Sequence, residues 1–315
     1  MRARKPTSHP HKKERIYSFN ILKKIYLHIA DFTVELELDE ELMTLPRNYR
    51  PFVASPDESH CEPLLRITMG SEPVSVDGCE KLSSFDDLGY RQDVYKCSEG
   101  GYVFEIYNYD GKLAATMASS ARFEENRVWL AQGEALTKEF GFNNTLMIAF
   151  AFSSAYHGTL MMHSSVVAKD GVGYMFLGKS GTGKSTHSSL WLKYLDGYHL
   201  LNDDNPVLRV SGSEVTVYGS PWSGKTPCYR QEKARVGALV MLEQKPYNKI
   251  SRESVVVALS SLLCSCSVMI WDRSSYDCIM RTIEQVITLV GVHHLECLPD
   301  EAAARLSHDT IAVGY

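Results

Sequence analysis

The chain has no obvious membrane span. Two uncharged runs, Thr145–Met162 and Val255–Trp271, approach the ~20 residues a spanning helix needs. Ser153, Ser154, His157 and Gly158 interrupt the first and four serines stud the second. Buried helices are therefore expected, with no membrane association. None of the eight cysteines, at 61, 79, 97, 228, 264, 266, 278 and 297, is spaced as CxxC, and no secretory leader is visible. Reduced thiols and a cytoplasmic location are the expectation. An excess of basic charge is missing too. The formal charge is −5, so nothing favours nucleic acid. The opening Arg2, Arg4, Lys5, Lys12, Lys13 and Arg15, with Pro6 and Pro10, read as a frayed tail. Neither an internal repeat nor a low-complexity segment appears. What remains is a globular chain, 44% hydrophobic over 315 residues and long enough for two domains.

The chemistry concentrates in one stretch. Gly178-Lys-Ser180-Gly181-Thr182-Gly183-Lys184-Ser185, followed by Thr186, has the spacing of a phosphate-binding loop. Glycines allow a tight turn whose N–H groups face phosphate oxygens, Lys184 supplies a cation, and the Ser185 hydroxyl can ligate Mg2+. The flanks agree. Val172–Leu177 is apolar and β-like, and Thr186–Asp196 carries helical spacing that stops at Gly197. A helix N-terminus adds its own N–H groups and partial positive charge.

Downstream, Tyr198–Asn202 reads as a buried strand with Asp203-Asp204 at its carboxyl end, on the same sheet edge as the loop. The interval suits a right-handed crossover to a neighbouring strand. One carboxylate can ligate Mg2+ while the other accepts a proton; a turn cluster before Asn205-Pro206 is the plainer alternative. Upstream, Asp170-Gly171 between two β-like runs signals a hairpin that brings His163 level with the loop. From there His163 could contact and orient Asp203, or serve as an ordinary structural residue. Gly219–Thr226 is a second Gly/Ser/Lys/Thr patch, but Pro221, Trp222 and Pro227 exclude another phosphate loop. It fits a mobile loop carrying Lys225 over the substrate, or an exposed turn; Arg230 is a weaker substrate candidate.

His163-Ser164-Ser165-Val166, Asp170-Gly171-Val172-Gly173, Gly178–Ser185 and Leu201-Asn202-Asp203-Asp204-Asn205 together resemble the catalytic domain of HPr kinase/phosphorylase and its serine-kinase relatives, over about residues 160 to 245. The resemblance implies a P-loop fold akin to phosphoenolpyruvate carboxykinase, with ATP and Mg2+ as cofactors and phosphorylation of a serine hydroxyl. It places the family's histidine on His163, its loop lysine and serine on Lys184 and Ser185, and its paired aspartates on Asp203 and Asp204, the base on Asp203 first. Two departures stand out. Thr186 occupies the place of the family's acidic residue after the serine, so metal must lean on Ser185 and the aspartates. The Gly-rich capture motif for HPr is not recognisable, which points to another acceptor; diverged relatives of this kind include modifiers of peptides in biosynthetic clusters.

The expected organisation is α/β. A β-rich front part (1–144) has strand-like runs over 21–38 and 64–132, and a helix from about Thr145 leads into a kinase-like domain (145–315). That domain continues with a strand over Val236–Leu242 and helices near 253–268 and 275–290. The leading function is an ATP-dependent phosphotransferase acting on a hydroxyl of a peptide, protein or small molecule, with Asp203, His163 and Lys184 catalytic and Ser185, Asp204 and Asp203 on the metal. A carboxykinase-like enzyme and a non-catalytic nucleotide-binding regulator are the alternatives. For the front part, substrate presentation or contact within a homo-oligomer is the expectation.

Overall fold

Alternating apolar residues build the front half. In β1 (Lys23–Ile29) and β2 (Phe32–Leu38), Leu27, Ile29, Val34, Leu36 and Leu38 are buried, as period-two patterning requires of a sheet covered on one face. The computed structural model describes residues 23–38, 45–55, 61–87, 89–98 and 100–312. The basic opening stretch lies outside them, as do the first two residues of the first expected strand. After a short 3-10 turn at Arg47–Phe52 come β3 (Leu65–Met69), β4 (Cys79–Asp87), β5 (Tyr90–Cys97), β6 (Tyr102–Tyr107), β7 (Leu113–Ser119) and β8 (Glu125–Leu130). They form an eight-stranded sheet, β1-β2-β3-β8-β7-β6-β5-β4.

Helix α1 (Ala135–Ala155) packs on this sheet. It starts ten residues before the expected position, and the polar residues in its middle are satisfied within it. Asn144 Nδ2 donates to Phe140 O at 2.9 Å and Thr145 Oγ1 to Gly141 O at 3.0 Å.

The second half is a nine-stranded sheet between two helical layers. Its elements are β9 (Thr159–Met161), β10 (Ser164–Lys169), β11 (Val172–Leu177), α2 (Lys184–Tyr194), β12 (His199–Asp204), β13 (Val207–Ser211), β14 (Glu214–Tyr218), β15 (Lys233–Gln244), β16 (Lys249–Arg252), α3 (Val255–Cys264), α4 (Arg273–Leu289), β17 (Gly291–Cys297) and α5 (Glu301–Ile311). The order is β12-β10-β11-β15-β14-β13-β9, with β17 beside β15 and β16 beside β17. One sheet face packs on α3 and α4 through Met175, Leu177, Leu239, Leu262 and Ile283, and the other on α2 and α5 through Phe176, Val240, Trp191 and Ala304. The chain is thus mixed α/β with two large sheets.

Three sequence expectations need correction. The crossover through α2 does not reach a neighbouring strand: β12 pairs antiparallel with β10, and β10 lies between it and β11. The hairpin had already taken the edge of β11. Helix α3 is buried on one side only: Ala258 and Leu262 lie in the core, whereas Val255 and Val256 are 67% and 79% exposed. Nor are all the thiols reduced. Cys79 and Cys97 form a disulfide across β4 and β5, a pairing set by strand register that a separation of 18 residues does not announce. Peptide mapping under non-reducing conditions is expected to recover this one cross-link and six free thiols. Replacing both cysteines by alanine is expected to cost about 3 kcal/mol in denaturant unfolding, the closure entropy of a loop of this size.

Candidate functional site

At one edge of the second sheet the carboxyl ends of β11 and β12 meet the start of β10. The hairpin joining β10 to β11 turns at Asp170 and Gly171, both at positive φ (51° and 75°), as a two-residue turn demands. Its register sets Ser164 opposite Leu177, which brings His163 to the end of β11 where the loop begins.

The loop folds back on itself before α2. Gly178, Gly181 and Gly183 all have positive φ, and Gly183 caps the helix. Thr182 closes an inner turn, its N and Oγ1 donating to Lys179 O at 3.2 and 2.8 Å. Ser180 in the loop and Thr186 in the first turn of α2 are exposed. Lys184 is buried, its ammonium reaching back to donate to Gly178 O at 2.9 Å and Lys179 O at 3.3 Å. Burial holds its pKa below the usual lysine range, against the opposing pull of Asp204 and Asp203.

The aspartates divide between two partners. Asp203 is 4% exposed, and its Oδ1 accepts from Ser185 Oγ at 2.9 Å. Asp204 stands apart from the regular strand with φ at 140°, a region that disfavours side chains. Its Oδ1 lies 3.0 Å from His163 Nδ1 and its Oδ2 accepts from Asn205 Nδ2 at 2.7 Å. His163 therefore meets Asp204 and not Asp203, as the sequence had suggested. Its backbone is tied down as well, its N–H donating to Ser265 O at 2.7 Å.

The Gly219–Thr226 segment is anchored at its base. Trp222 is buried and donates from Nε1 to Tyr49 OH at 3.2 Å. Ser223 Oγ donates to Asp203 O at 3.1 Å, and Gly224 N–H donates to the same carbonyl. A Cβ on Gly224 would stand 3.1 Å from that oxygen and 3.2 Å from Asp204 Cβ, so a larger residue would crowd the acidic pair by a few tenths of an ångström. Lys225 is exposed one residue further on. Arg230 is exposed too, with its charge beside the Cys228 thiol.

Three contributors escaped the sequence reading. Asn205 fixes the second oxygen of Asp204, and Asn202, fully buried, holds Ser220 and Trp222 O beneath the pair. Gln244 Nε2 donates to Gly181 O at 3.1 Å from the end of β15. Asn205 directly follows the aspartates but reads as turn chemistry. Gln244 has no local signal, because only the parallel pairing of β11 with β15 brings it in.

No family model matches the chain, and no curated protein does. Among solved structures it is similar to the Hpr(Ser) kinase/phosphatase from Coxiella burnetii, at 13% identity and a TM-score of 0.28, over 47% of this chain and 91% of that one. That likeness is too slight to bear on function, which has to be read from the site.

The helix that presents Lys184 and Ser185 is held from behind by His187 and Trp191. Trp191 Nε1 donates to Ser307 Oγ at 2.9 Å and approaches His187 Nε2 at 3.2 Å. Burial pushes the His187 imidazole down to about 4. Its contribution to stability is complete above the unfolded value near 6.5 and is lost as pH falls toward 4, because the unfolded chain takes up the proton first. Between pH 7 and pH 5 this group should cost the fold about 2 kcal/mol in urea unfolding. His187→Phe should remove that component of the pH dependence; an unchanged slope would show that His187 titrates normally.

Proposed function

We propose that this chain is an ATP-dependent phosphotransferase acting on a hydroxyl group, working as a P-loop enzyme with Mg2+. The observation that carries the reading is the 2.9 Å contact of Ser185 with Asp203 at the mouth of a loop whose lysine folds across it. On this reading, Gly178–Ser185 and the first turn of α2 take the donor phosphates, and Lys184 exchanges the loop carbonyls for phosphate oxygens. The nucleotide half begins within α1, and the front part, 1–144, presents the acceptor.

Ser185 Oγ and Asp203 suit a magnesium ion. Both are hard oxygen donors, and 2.9 Å matches the edge of an octahedron with bonds of about 2.0–2.1 Å. Among the described residues no three His, Cys, Asp or Glu side chains gather as a metal cluster, so phosphate and water would complete the shell. Bound there, the ion would neutralise charge on the transferring group.

Asp204 is left for the acceptor. His163 and Asn205 hold both of its oxygens, which suits a carboxylate that must be aimed. The acceptor oxygen attacks the terminal phosphorus, its proton passes to Asp204, the new O–P bond forms, and the bond to the bridging oxygen breaks as the nucleoside diphosphate leaves with that electron pair. This exchanges the roles the family resemblance implied for the two aspartates.

The aspartate roles are separable by titration. Asp204→Asn should keep nucleotide affinity and lose transfer of labelled phosphate by ~10²–10⁴-fold. Asp203→Asn should weaken Mg2+-dependent nucleotide binding and recover in part with excess metal. The reverse pattern would return the base to Asp203, and binding without consumption of ATP in the wild type would leave a non-catalytic regulator.

Lys184→Ala should reduce transfer by 10²-fold or more, the loss of a charge clamp worth several kcal/mol. A variant that keeps wild-type turnover would remove the loop from catalysis.

A further inference from the structure

A polar cavity of about 460 Å³ opens between the two halves, at the other end of the second sheet from the loop. Gly171 lies on its wall, and the six residues of β11 separate that turn from Gly178, roughly 20 Å along an extended strand.

Strand register builds the floor. Arg209 on β13 pairs with Thr216 on β14, and Thr216 pairs with Arg235 on β15, so the three stand in one row on one face. Two residues to one side the row is Tyr218 and Lys233, and two residues to the other it is Ser211 and Glu214. The intervening Val215, Val217 and Val236 turn to the core under α3 and α4. The turn between β1 and β2 forms the roof, with Ala30 and Asp31 at positive φ of 50° and 60°. Arg209 Nη1 donates to Ala30 O at 3.1 Å, and Tyr218 OH and Lys233 Nζ donate to Asp31 Oδ2 at 2.7 and 3.0 Å.

Arg209 is the cation left over. It is half-buried, with Cζ 4.1 Å from the Phe32 ring centroid, and it meets no carboxylate among the described residues. A guanidinium has five N–H donors, of which the bond to Ala30 uses one. The Thr216 hydroxyl beside it makes no hydrogen bond among the described residues. A positive charge held partly out of water with donors unspent is a seat for an anion, and the flat guanidinium suits a two-pronged oxyanion. The same wall already holds one carboxylate, that of Asp31.

Charge balance narrows the anion. Arg209, Lys233 and Arg235 against Asp31 and Glu214 leave the lining with one positive charge in excess. A single carboxylate neutralises it. A phosphate dianion overshoots and faces Asp31 and Glu214, the latter exposed and without a cation among the described residues. The volume falls within the range of about 300–1,000 Å³ typical of small-molecule sites, and the Ser211 and Thr216 hydroxyls suit a hydroxylated body.

We propose that this cavity binds a small hydroxylated molecule bearing one carboxylate, seated on Arg209 with its hydroxyls toward Thr216 and Ser211. The site is separate from the phosphate-binding loop and stands whether or not that loop transfers phosphate.

The probes are lactate, glycerate and gluconate, titrated calorimetrically into the full chain, with glycerol and sorbitol as uncharged counterparts and glycerol phosphate as the dianion. At least one monocarboxylate is expected to bind with Kd below about 1 mM, the polyols not at all, and the phosphate more weakly. Arg209→Gln should weaken monocarboxylate binding roughly tenfold or more, the loss of a hydrogen bond between charged groups. Its unfolding midpoint is the folding control. Glu214→Gln, at an exposed position, should act in the opposite direction, tightening the monocarboxylate and narrowing its advantage over the phosphate. Lys184→Ala should leave the monocarboxylate affinity unchanged. Binding by none of the three acids, or by the polyols as tightly as by the acids, would overturn the site. Tighter binding of glycerol phosphate to the wild type would overturn the assignment to a monocarboxylate. Binding lost in Lys184→Ala but kept in Arg209→Gln would move the anion to the loop and overturn the proposal, as would an affinity that Glu214→Gln leaves unchanged or weakens.

Discussion

The register of β10 between β11 and β12 decides which side chains meet at the loop. Partnered residues in antiparallel strands share a face. Ser165 is set opposite Asp203, and Ser165 Oγ lies 2.7 Å from Ser188 Oγ on α2. One helical turn earlier on the same helix face stands Ser185, so Asp203 meets it. A slip of one residue in either pairing would turn Asp203 to the α3 and α4 side and leave Ser185 without its carboxylate. The pairing is itself irregular, with a shift between Val166 and Val167 that offsets β12 before the aspartates arrive. A bulge at this point re-aims the strand end next to the loop.

Lys184 and Ser185 are positioned from below by a dense aromatic layer. Trp191 is fully buried and meets Tyr174, Phe176, Tyr198 and His308 at ring centroid distances of 5.0 to 5.5 Å. Removing a side chain of that size from such a layer typically costs 3–5 kcal/mol. The loop above it has no comparable packing. Its shape comes from three glycines at positive φ and from the lysine bonded to the loop carbonyls. A well-packed helix under a loop held by a few polar contacts would suit the phosphate binding proposed above.

Much of this edge was legible in the sequence because its determinants are local. Asp170-Gly171, the apolar run Val172–Leu177, the glycine spacing and Asp203-Asp204 each act within a few residues, and each stands where the pattern placed it. The pairing of the histidine was not legible. Regular alternation puts His163 on the face of Ser165, hence of Asp203. Only the φ of 140° at Asp204 turns the other carboxylate toward it, and no sequence pattern announces a strained aspartate. The disulfide, the contact from Gln244 and the exposure of α3 were equally hidden, since each depends on how distant strands and helices pair.

The front half reaches the acidic pair through a short chain of contacts. Asn48 donates to Pro221 O at 2.9 Å, and Tyr49, buried beside Phe142 and Trp222, accepts from the Trp222 indole. Trp222 O in turn receives bonds from Asn202 and Ser220, and the next two residues bond the carbonyl of Asp203. The strained conformation at Asp204 costs of order 1–3 kcal/mol and persists only where surrounding contacts over-determine it. Those contacts come from the 3-10 turn of the front half as much as from the sheet that carries the aspartates. The front half is therefore part of what holds the site in shape, and a displacement of the Arg47–Phe52 turn would pass through Pro221 and Trp222 to the backbone of Asp203.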